Sequence, residues 1–291
     1  MPAGRCDLGP ILGAGRTAEV FAWESGRVLK LYRSGWTEDR VVREEENTAR
    51  VHALGAPAPA SYGVEQIEGR YGVVLERVEG PTLLAVLMQQ PWKLWRVVTF
   101  ARLSARLQLA VHALPGAGLP DQLAGAEEGI RASDALSEAE RERAVVLLRS
   151  VPTGDRLCHG DFHPDNIIMS GRGPVIIDWP AAVCGNPLAD FARTQLQLES
   201  ATLPTHLPAW QRWLVRLLRT RHASAFDRAY RAEARPDRDE LEAWRALVAV
   251  QRLGEEIDEE RERMLRIMQT RLRGDGLGGS STALGGGGCG G

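Results

Sequence analysis

Short apolar runs of β-forming residues dominate the first eighty positions, and longer runs with helical spacing dominate the rest. Ile11 and Leu12 lead into a glycine turn. Positions 20–23 and 28–32 are two further β-forming runs, and 61–66 and 71–78 are two more around a Glu-Gly-Arg turn. Between them, 38–54 has helical composition and stops at Gly55, with Pro57 and Pro59 beyond it. Val41, Val42, Glu45, Thr48, Ala49, His52 and Ala53 share one face of that helix at 3.6 spacing. His52 and His112 both lie in helical patterns and read as packed or capping residues. Glu79, Gly80 and Pro81 then break the chain, and helix takes over.

The span 91–114 predicts a long amphipathic helix whose inner stripe is Trp95, Val98, Leu103, Leu107 and either Ala110 or Val111. Positions 116–129 read as loop. Ser137 and Glu140 form a capping box that opens a helix running through Leu148. Trp210, Trp213, Leu214, Leu217 and Leu218 suggest a further core helix, and 241–272 is helical in composition with a break at Leu253 and Gly254. Strands first and helices afterwards imply an α+β chain. We expect a small β-rich N-terminal lobe over 1–79, a hinge at about 76–81 and a larger, mainly helical lobe over 80–273. The Gly- and Ser-rich positions 274–291 cannot bury enough surface to order themselves and are expected to form a flexible tail.

Composition narrows the function classes. A hydrophobic content of 44%, a charged content of 25% and 291 residues suit a globular protein. A net charge of −2 gives no general pull toward nucleic acid or an anionic membrane. Cys6, Cys158, Cys184 and Cys289 are scattered, without metal or disulfide spacing, which suggests free thiols. The first residues lack the apolar core of a signal peptide and no run is long enough to span a bilayer, so a cytoplasmic location is expected. Lys30 and Lys93 are the only lysines. In a background that writes Arg almost everywhere, Lys30 suggests a need for a compact ammonium, although Lys93 shows that chance also leaves a lysine. The segment 255–260 is the most acidic of the chain, but Arg261, Arg263 and Arg266 follow at pairing distance, which favours a salt-bridged solvent face.

Chemistry concentrates in 158–179. There Cys158, His159, Gly160, Asp161, Phe162, His163, Pro164, Asp165 and Asn166 precede an apolar run, a Gly-rich turn and a second apolar run ending at Asp178. The two runs predict a tight hairpin. Pro174 has no N–H for a ladder, so pairing is expected to begin with Val175 opposite Met169. That register sets Asn166 roughly opposite Asp178, about 5 Å apart. Two oxygen ligands at the open end of a hairpin suit a hard cation such as magnesium. Asp161, in a loop that Pro164 keeps from becoming helix, is free to take a proton from a substrate hydroxyl.

Asp161, Asn166 five residues on, and then Asp178 resemble the catalytic loop and metal-binding Asp of protein-kinase-like enzymes. The leading His159 and Gly160, and Trp179 after Asp178, resemble the aminoglycoside phosphotransferase-like branch of that fold. The resemblance covers about 8–272 and implies a two-lobed kinase-like fold acting as an ATP- and Mg2+-dependent phosphotransferase on a small-molecule hydroxyl. In its terms Asp161 is catalytic, and Asn166 and Asp178 hold the metal. Lys30 clamps the nucleotide phosphates, and Glu45, the acid on the apolar helix face, is its expected partner over Glu44 and Glu46. Gly13 and Gly15 approach the phosphates, Val20 and Ile177 border the nucleotide, and the Glu76 carbonyl and Val78 N–H contact the base, with GTP not excluded. Asp190 resembles the buried Asp that holds the catalytic loop, with an ordinary acid in the first turn of a helix as the even alternative. Asn186 departs from the family's usual Gly-Asp-Pro.

Two other function classes fit parts of the pattern. A metal-dependent hydrolase would use His159, Asp161, His163 and Asp165 as alternating ligands, but Pro164 interrupts that strand and further ligands are lacking. A non-catalytic nucleotide-binding module of kinase shape predicts loss of Lys30, Asp161, Asn166 or Asp178, and all four are present. No motif names the acceptor or the oligomeric state.

Overall fold

The structure, a computed structural model, describes residues 8–24, 26–89, 92–200, 208–253 and 258–274. The first seven residues, the tail 275–291 and the acidic side chains of 255–260 lie outside the described residues. Strands β1 (Ile11–Ala14), β2 (Ala18–Trp23), β3 (Arg27–Tyr32), β4 (Ser61–Ile67) and β5 (Arg70–Glu76) form one antiparallel sheet in the order β1-β2-β3-β5-β4. One cross-strand row joins Gly13, Val20, Lys30 and Val73. Alternation along β3 then divides its residues. Leu29 and Leu31 pack with Val74, whereas Tyr32 packs with Val73 and with Val41 of helix α1 (Glu38–Ala53). Lys30 shares the second face, under α1.

The inner face of α1 differs from the expected one. Val41, Glu44, Asn47, Thr48 and Val51 are buried, Val42, Glu45 and Ala49 are half-buried at the margin, and His52 and Ala53 are exposed. A 3.6-residue helix that keeps Val41 and Thr48 inward can centre its stripe on Glu44 or on Glu45, and the apolar count alone cannot choose.

The rest of the chain is mainly helical: α2 (Leu83–Gln89), α3 (Leu94–His112), α4 (Gln122–Ala132), α5 (Glu138–Ser150), α6 (Pro187–Ser200), α7 (Ala209–Ala234), α8 (Arg238–Leu253) and α9 (Asp258–Gly274). These helices enclose one large core that includes Phe162, Trp179, Phe191, Tyr230 and Trp244. The capping box at Ser137 and Glu140 is present. Three local expectations are corrected. Residues 116–129 are not all loop, because Asp121 accepts a hydrogen bond from the Ala124 N–H and starts α4. The inner stripe of α3 is Val97, Ala101, Ala105 and Val111 together with the polar Ser104, Gln108 and His112, while Trp95 is 66% exposed. Trp210 and Trp213 at the start of α7 are each 65% exposed, and Leu218 is the buried member of that group. In α3 small and polar residues face inward, where buried hydrogen bonds claim the space, and in α7 the buried apolar face begins only at Leu218, so hydrophobicity alone points to the wrong side.

Short strands position the loop between the two parts. Strand β6 (Arg156–Cys158) pairs with β9 (Val183–Gly185), and β7 (Ile167–Ser170) pairs with β8 (Gly173–Ile176). The chain leaving β5 docks on this second hairpin: the Met169 N–H donates to the Pro81 carbonyl at 2.9 Å, and Thr82 bridges Ile168. Gly80, at φ 146°, passes so close that a Cβ would meet the Met169 carbonyl oxygen at 2.3 Å. The Ile176 N–H donates to the Pro57 carbonyl at 2.7 Å, which ties the hairpin to the sheet's own loop. No helix among the described residues is long and apolar enough to cross a membrane.

Candidate active site

The β7–β8 hairpin forms with its register one residue away from expectation. Met169 faces Pro174, Ile168 faces Val175, and Asn166 therefore faces Ile177, whose N–H donates to the Asn166 carbonyl at 2.9 Å. Met169 and Ile176 turn their N–H groups outward, to Pro81 and Pro57, so Pro174 occupies a position whose nitrogen also points away from the partner strand. A missing N–H costs nothing there, which is why the ladder includes the proline rather than starting after it. Asp178 lies one step past the ladder with φ 68°, the left-handed region that Asp tolerates better than most residues. That bend turns its carboxylate toward the sheet.

Lys30 meets it. Lys30 Nζ donates to Asp178 Oδ1 and to Glu44 Oε1, each at 2.7 Å. Burial alone lowers the lysine pKa, but Glu44 and then Asp178 outweigh it and hold the ammonium above its ordinary value. The expectation of Glu45 is corrected: Glu45 instead accepts a hydrogen bond from Ser61 Oγ at 2.9 Å, while Glu44 is 2% exposed on the inner face of α1. One turn further along α1, Asn47 Nδ2 donates to the Pro180 carbonyl at 3.2 Å, so the helix is tied to the segment just after Asp178.

Asp161 sits in the loop after β6. Its carboxylate accepts a hydrogen bond from Gln197 Nε2 and lies 3.6 Å from His163 Nε2. Burial raises its pKa, but His163, then Arg193 and His159, outweigh that and hold the carboxyl well below the usual carboxylate range. Asn166 Nδ2 donates to the Asp161 carbonyl at 3.0 Å, leaving its Oδ1 without a partner among the described residues.

A buried hub holds this loop. Asp190, in the first turn of α6, accepts from the N–H groups of His159 at 3.2 Å and Gly160 at 2.6 Å. It also accepts from Gln108 Nε2 at 3.0 Å and meets His112 Nε2 at 2.9 Å, and His112 Nδ1 meets the Tyr230 hydroxyl at 2.8 Å. Burial works against the charge, yet His112 above all, then His159 and the Gly160 N–H, bring the Asp190 pKa down to about 2. Asp190 is thus the loop-holding acid, and the even alternative of an ordinary helix acid falls away. Asn186 still caps α6, its Oδ1 accepting from the Leu188 N–H at 2.9 Å. His159 Nδ1 accepts from the Asp161 N–H at 3.1 Å, so its Nε2 donates to the Ile177 carbonyl at 3.1 Å. Burial lowers the His159 pKa, in keeping with that neutral tautomer. Both nitrogens are therefore occupied, and no cluster of three or more metal-ligating side chains exists among the described residues. The alternating-ligand set of the hydrolase reading does not converge.

Of the expected site residues, Lys30, Asp178, Asn166 and Asp161 come together, with Val20 beside Lys30 in the sheet and Ile177 between Asn166 and Asp178. Gly13 continues the same cross-strand row, and a Cβ added there would meet nothing within 4 Å. Gly15 is likewise uncrowded, with its N–H on the Ala18 carbonyl. Glu76 ends β5 with its carboxylate on Arg172, and the Val78 N–H meets no described residue. Sequence reasoning passed over Asn47, Gln108 and Gln197 and preferred Glu45 to Glu44. The signal for Gln108 and His112 was their i,i+4 spacing on a helix face that hydrophobicity placed outward.

A family model described as the phosphotransferase enzyme family matches residues 10–233. No curated protein matches the chain. Among solved structures, a thermostable mutant of aminoglycoside phosphotransferase APH(4)-Ia, in ternary complex with AMP-PNP and hygromycin B, superposes with a TM-score of 0.58 at 17% identity. That match covers 94% of this chain and 95% of the other. An aminoglycoside-3'-phosphotransferase of type VIII gives 0.54 at 21% identity, over 82% and 90% of the two chains. A putative fructosamine-3-kinase from Haemophilus somnus 129PT gives 0.56 at 13% identity, over 91% and 90%. At these identities the likeness is one of fold, the two-part kinase-like arrangement.

Proposed function

The chain belongs to the phosphotransferase enzyme family, and from that premise we propose that it moves the γ-phosphoryl group of ATP to a hydroxyl of a small molecule, with magnesium as the metal. The observation that carries this reading is Lys30, whose ammonium lies 2.7 Å from both Glu44 and Asp178. It joins the sheet, α1 and the segment after the hairpin at one point, as phosphate positioning requires. The residues present suit the proposed ligands. Gly13 is exposed and leaves open space above its Cα, Asn166 Oδ1 lacks a partner among the described residues, and Asp178 is turned toward the lysine by its left-handed backbone. Asn166 and Asp178 are the proposed metal ligands. The Val78 N–H and the Glu76 carbonyl are the proposed contacts of the base, and Val20 and Ile177 its apolar borders. Magnesium, when bound, neutralises charge on the phosphates.

In this reading Lys30 holds the nucleotide phosphates, and Glu44 keeps the lysine aimed. Asp161, ionised throughout the physiological range, orients the acceptor hydroxyl. The hydroxyl oxygen forms a bond to the γ-phosphorus as the bond to the β-phosphate oxygen breaks, ADP leaves with that oxygen, and the hydroxyl proton passes to Asp161. Gln197 and His163 keep the carboxylate in place.

The test is Asp161→Asn. Phosphoryl transfer should fall by a factor on the order of 10²–10⁴, while magnesium–ATP affinity measured by calorimetry stays within about two-fold of the parent. Full turnover in that protein refutes the role. Glu44→Gln should lower kcat/KM for ATP roughly ten-fold or more, whereas Glu45→Gln should change it by less than about two-fold. GTP is assayed in parallel, because backbone contacts alone accept either purine.

A further inference from the structure

Beside Asp161 lies a cavity of about 400 Å3 that the proposed nucleotide contacts do not touch. Its walls are Leu84, Leu87, Met88, Val97, Leu198 and Leu218. Leu84 and Met88, one turn apart on α2, stay 40% and 45% exposed while lining it. Apolar side chains held around an open space beside a reactive carboxylate suit a ligand with an apolar body.

The formal charges of the lining side chains balance. Asp161 and Asp165 are set against Arg219 and Arg252. Asp161 is held by Gln197 and His163, and Asp165 accepts from the Thr82 hydroxyl at 2.8 Å. A ligand carrying several ammonium groups would find no surplus carboxylate among the described residues to repay its loss of hydration.

His222 supplies the remaining feature. It lines the cavity, is 4% exposed, and neither of its ring nitrogens has a hydrogen-bond partner among the described residues. Burial pushes its pKa down to about 4, so at neutral pH it presents one N–H donor and one bare acceptor. Two unmet polar atoms in one buried ring are costly, and the cavity is where a partner can come from.

Building on the phosphotransferase reading, we propose that the acceptor is an uncharged alcohol with a bulky apolar body. Its hydroxyl lies at Asp161, and a separate oxygen-bearing group lies against His222. This class excludes polycationic amino sugars.

Calorimetric titration of the full chain tests it with four probes: androsterone (a hydroxyketosteroid), its analogue lacking the ketone, an uncharged macrolactone, and the polycation kanamycin. At least one of the uncharged probes should bind with a dissociation constant in the micromolar range and kanamycin at least ten-fold more weakly. Val215→Trp, which fills the cavity, should weaken that binding at least ten-fold and leave magnesium–ATP affinity within two-fold. His222→Phe should remove the preference for the ketone-bearing steroid over its analogue. Tighter binding of kanamycin, no binding of any uncharged probe, or binding indifferent to Val215→Trp overturns the proposal. Each of those results leaves the phosphotransferase reading to be judged separately, by magnesium–ATP binding and the Asp161→Asn assay.

Discussion

Two buried polar groups of the helical part, Asp190 and His222, are served in opposite ways. Both carboxylate oxygens of Asp190 are engaged, by two backbone N–H groups and by Gln108 and His112. His222 is similarly buried and has no partner at either nitrogen among the described residues. The first arrangement spends its polar capacity inside the chain and holds the loop that carries Asp161. The second leaves its capacity open to a cavity. Burial alone therefore does not distinguish a structural polar residue from one reserved for a ligand; the count of satisfied atoms does.

The largest effect that could break this contrast is expected at Asp190. Asp190→Ala strands four buried donors and should lower unfolding free energy by about 3–5 kcal/mol. Urea unfolding followed by far-UV dichroism measures it, and a loss under about 1 kcal/mol would make the hub as dispensable as an exposed pair.

Acid titration sharpens the contrast next. His222 has a folded pKa of about 4, below its unfolded value of about 6.5. The folded state thus disfavours its charged form, and stability is fully present above about pH 6.5 and declines as pH falls toward 4, by about 3 kcal/mol in all. Asp190 has a folded pKa of about 2, below its unfolded value of about 3.9. Its contribution is present above about pH 4 and is lost only as pH falls further toward 2. Unfolding free energies at pH 7.5 and 5 should therefore differ in the parent and much less in His222→Phe; equal slopes in both would remove His222 as the cause. The smallest effect belongs to His222→Phe at pH 7.5. Because no hydrogen bond is lost, stability should stay within about 1 kcal/mol of the parent or rise.

Legibility in the sequence followed the range of the interaction. The capping box at Ser137 was readable because its partners are three residues apart. The hairpin was readable as a hairpin, but its register slipped by one because the outward hydrogen bonds of Met169 and Ile176 go to Pro81 and Pro57, which no local rule includes. The choice between Glu44 and Glu45 failed for a related reason. An apolar count places a helix face to within one residue, and a buried acid looks polar until its lysine is known. Size and hydrophobicity point Trp95 and Trp213 inward, yet both are exposed, while Ala101, Ala105 and Leu218 of the same helices are buried.

What the sequence by itself determined is the local chemistry. The loop with Asp161 and Asn166, the apolar run ending at Asp178, the lone strand lysine and the change from strands to helices rest on spacings of a few residues, where backbone geometry leaves little freedom. Only the tertiary structure decided which side chains meet. Lys30 and Asp178 lie 148 positions apart, Glu44 rather than Glu45 completes their cluster, Gln108 and His112 join Asp190, and His222 faces a cavity without a hydrogen-bond partner among the described residues. Contacts over such separations depend on how whole faces pack, and packing is settled by the summed burial of the core rather than by any one residue's neighbours along the chain.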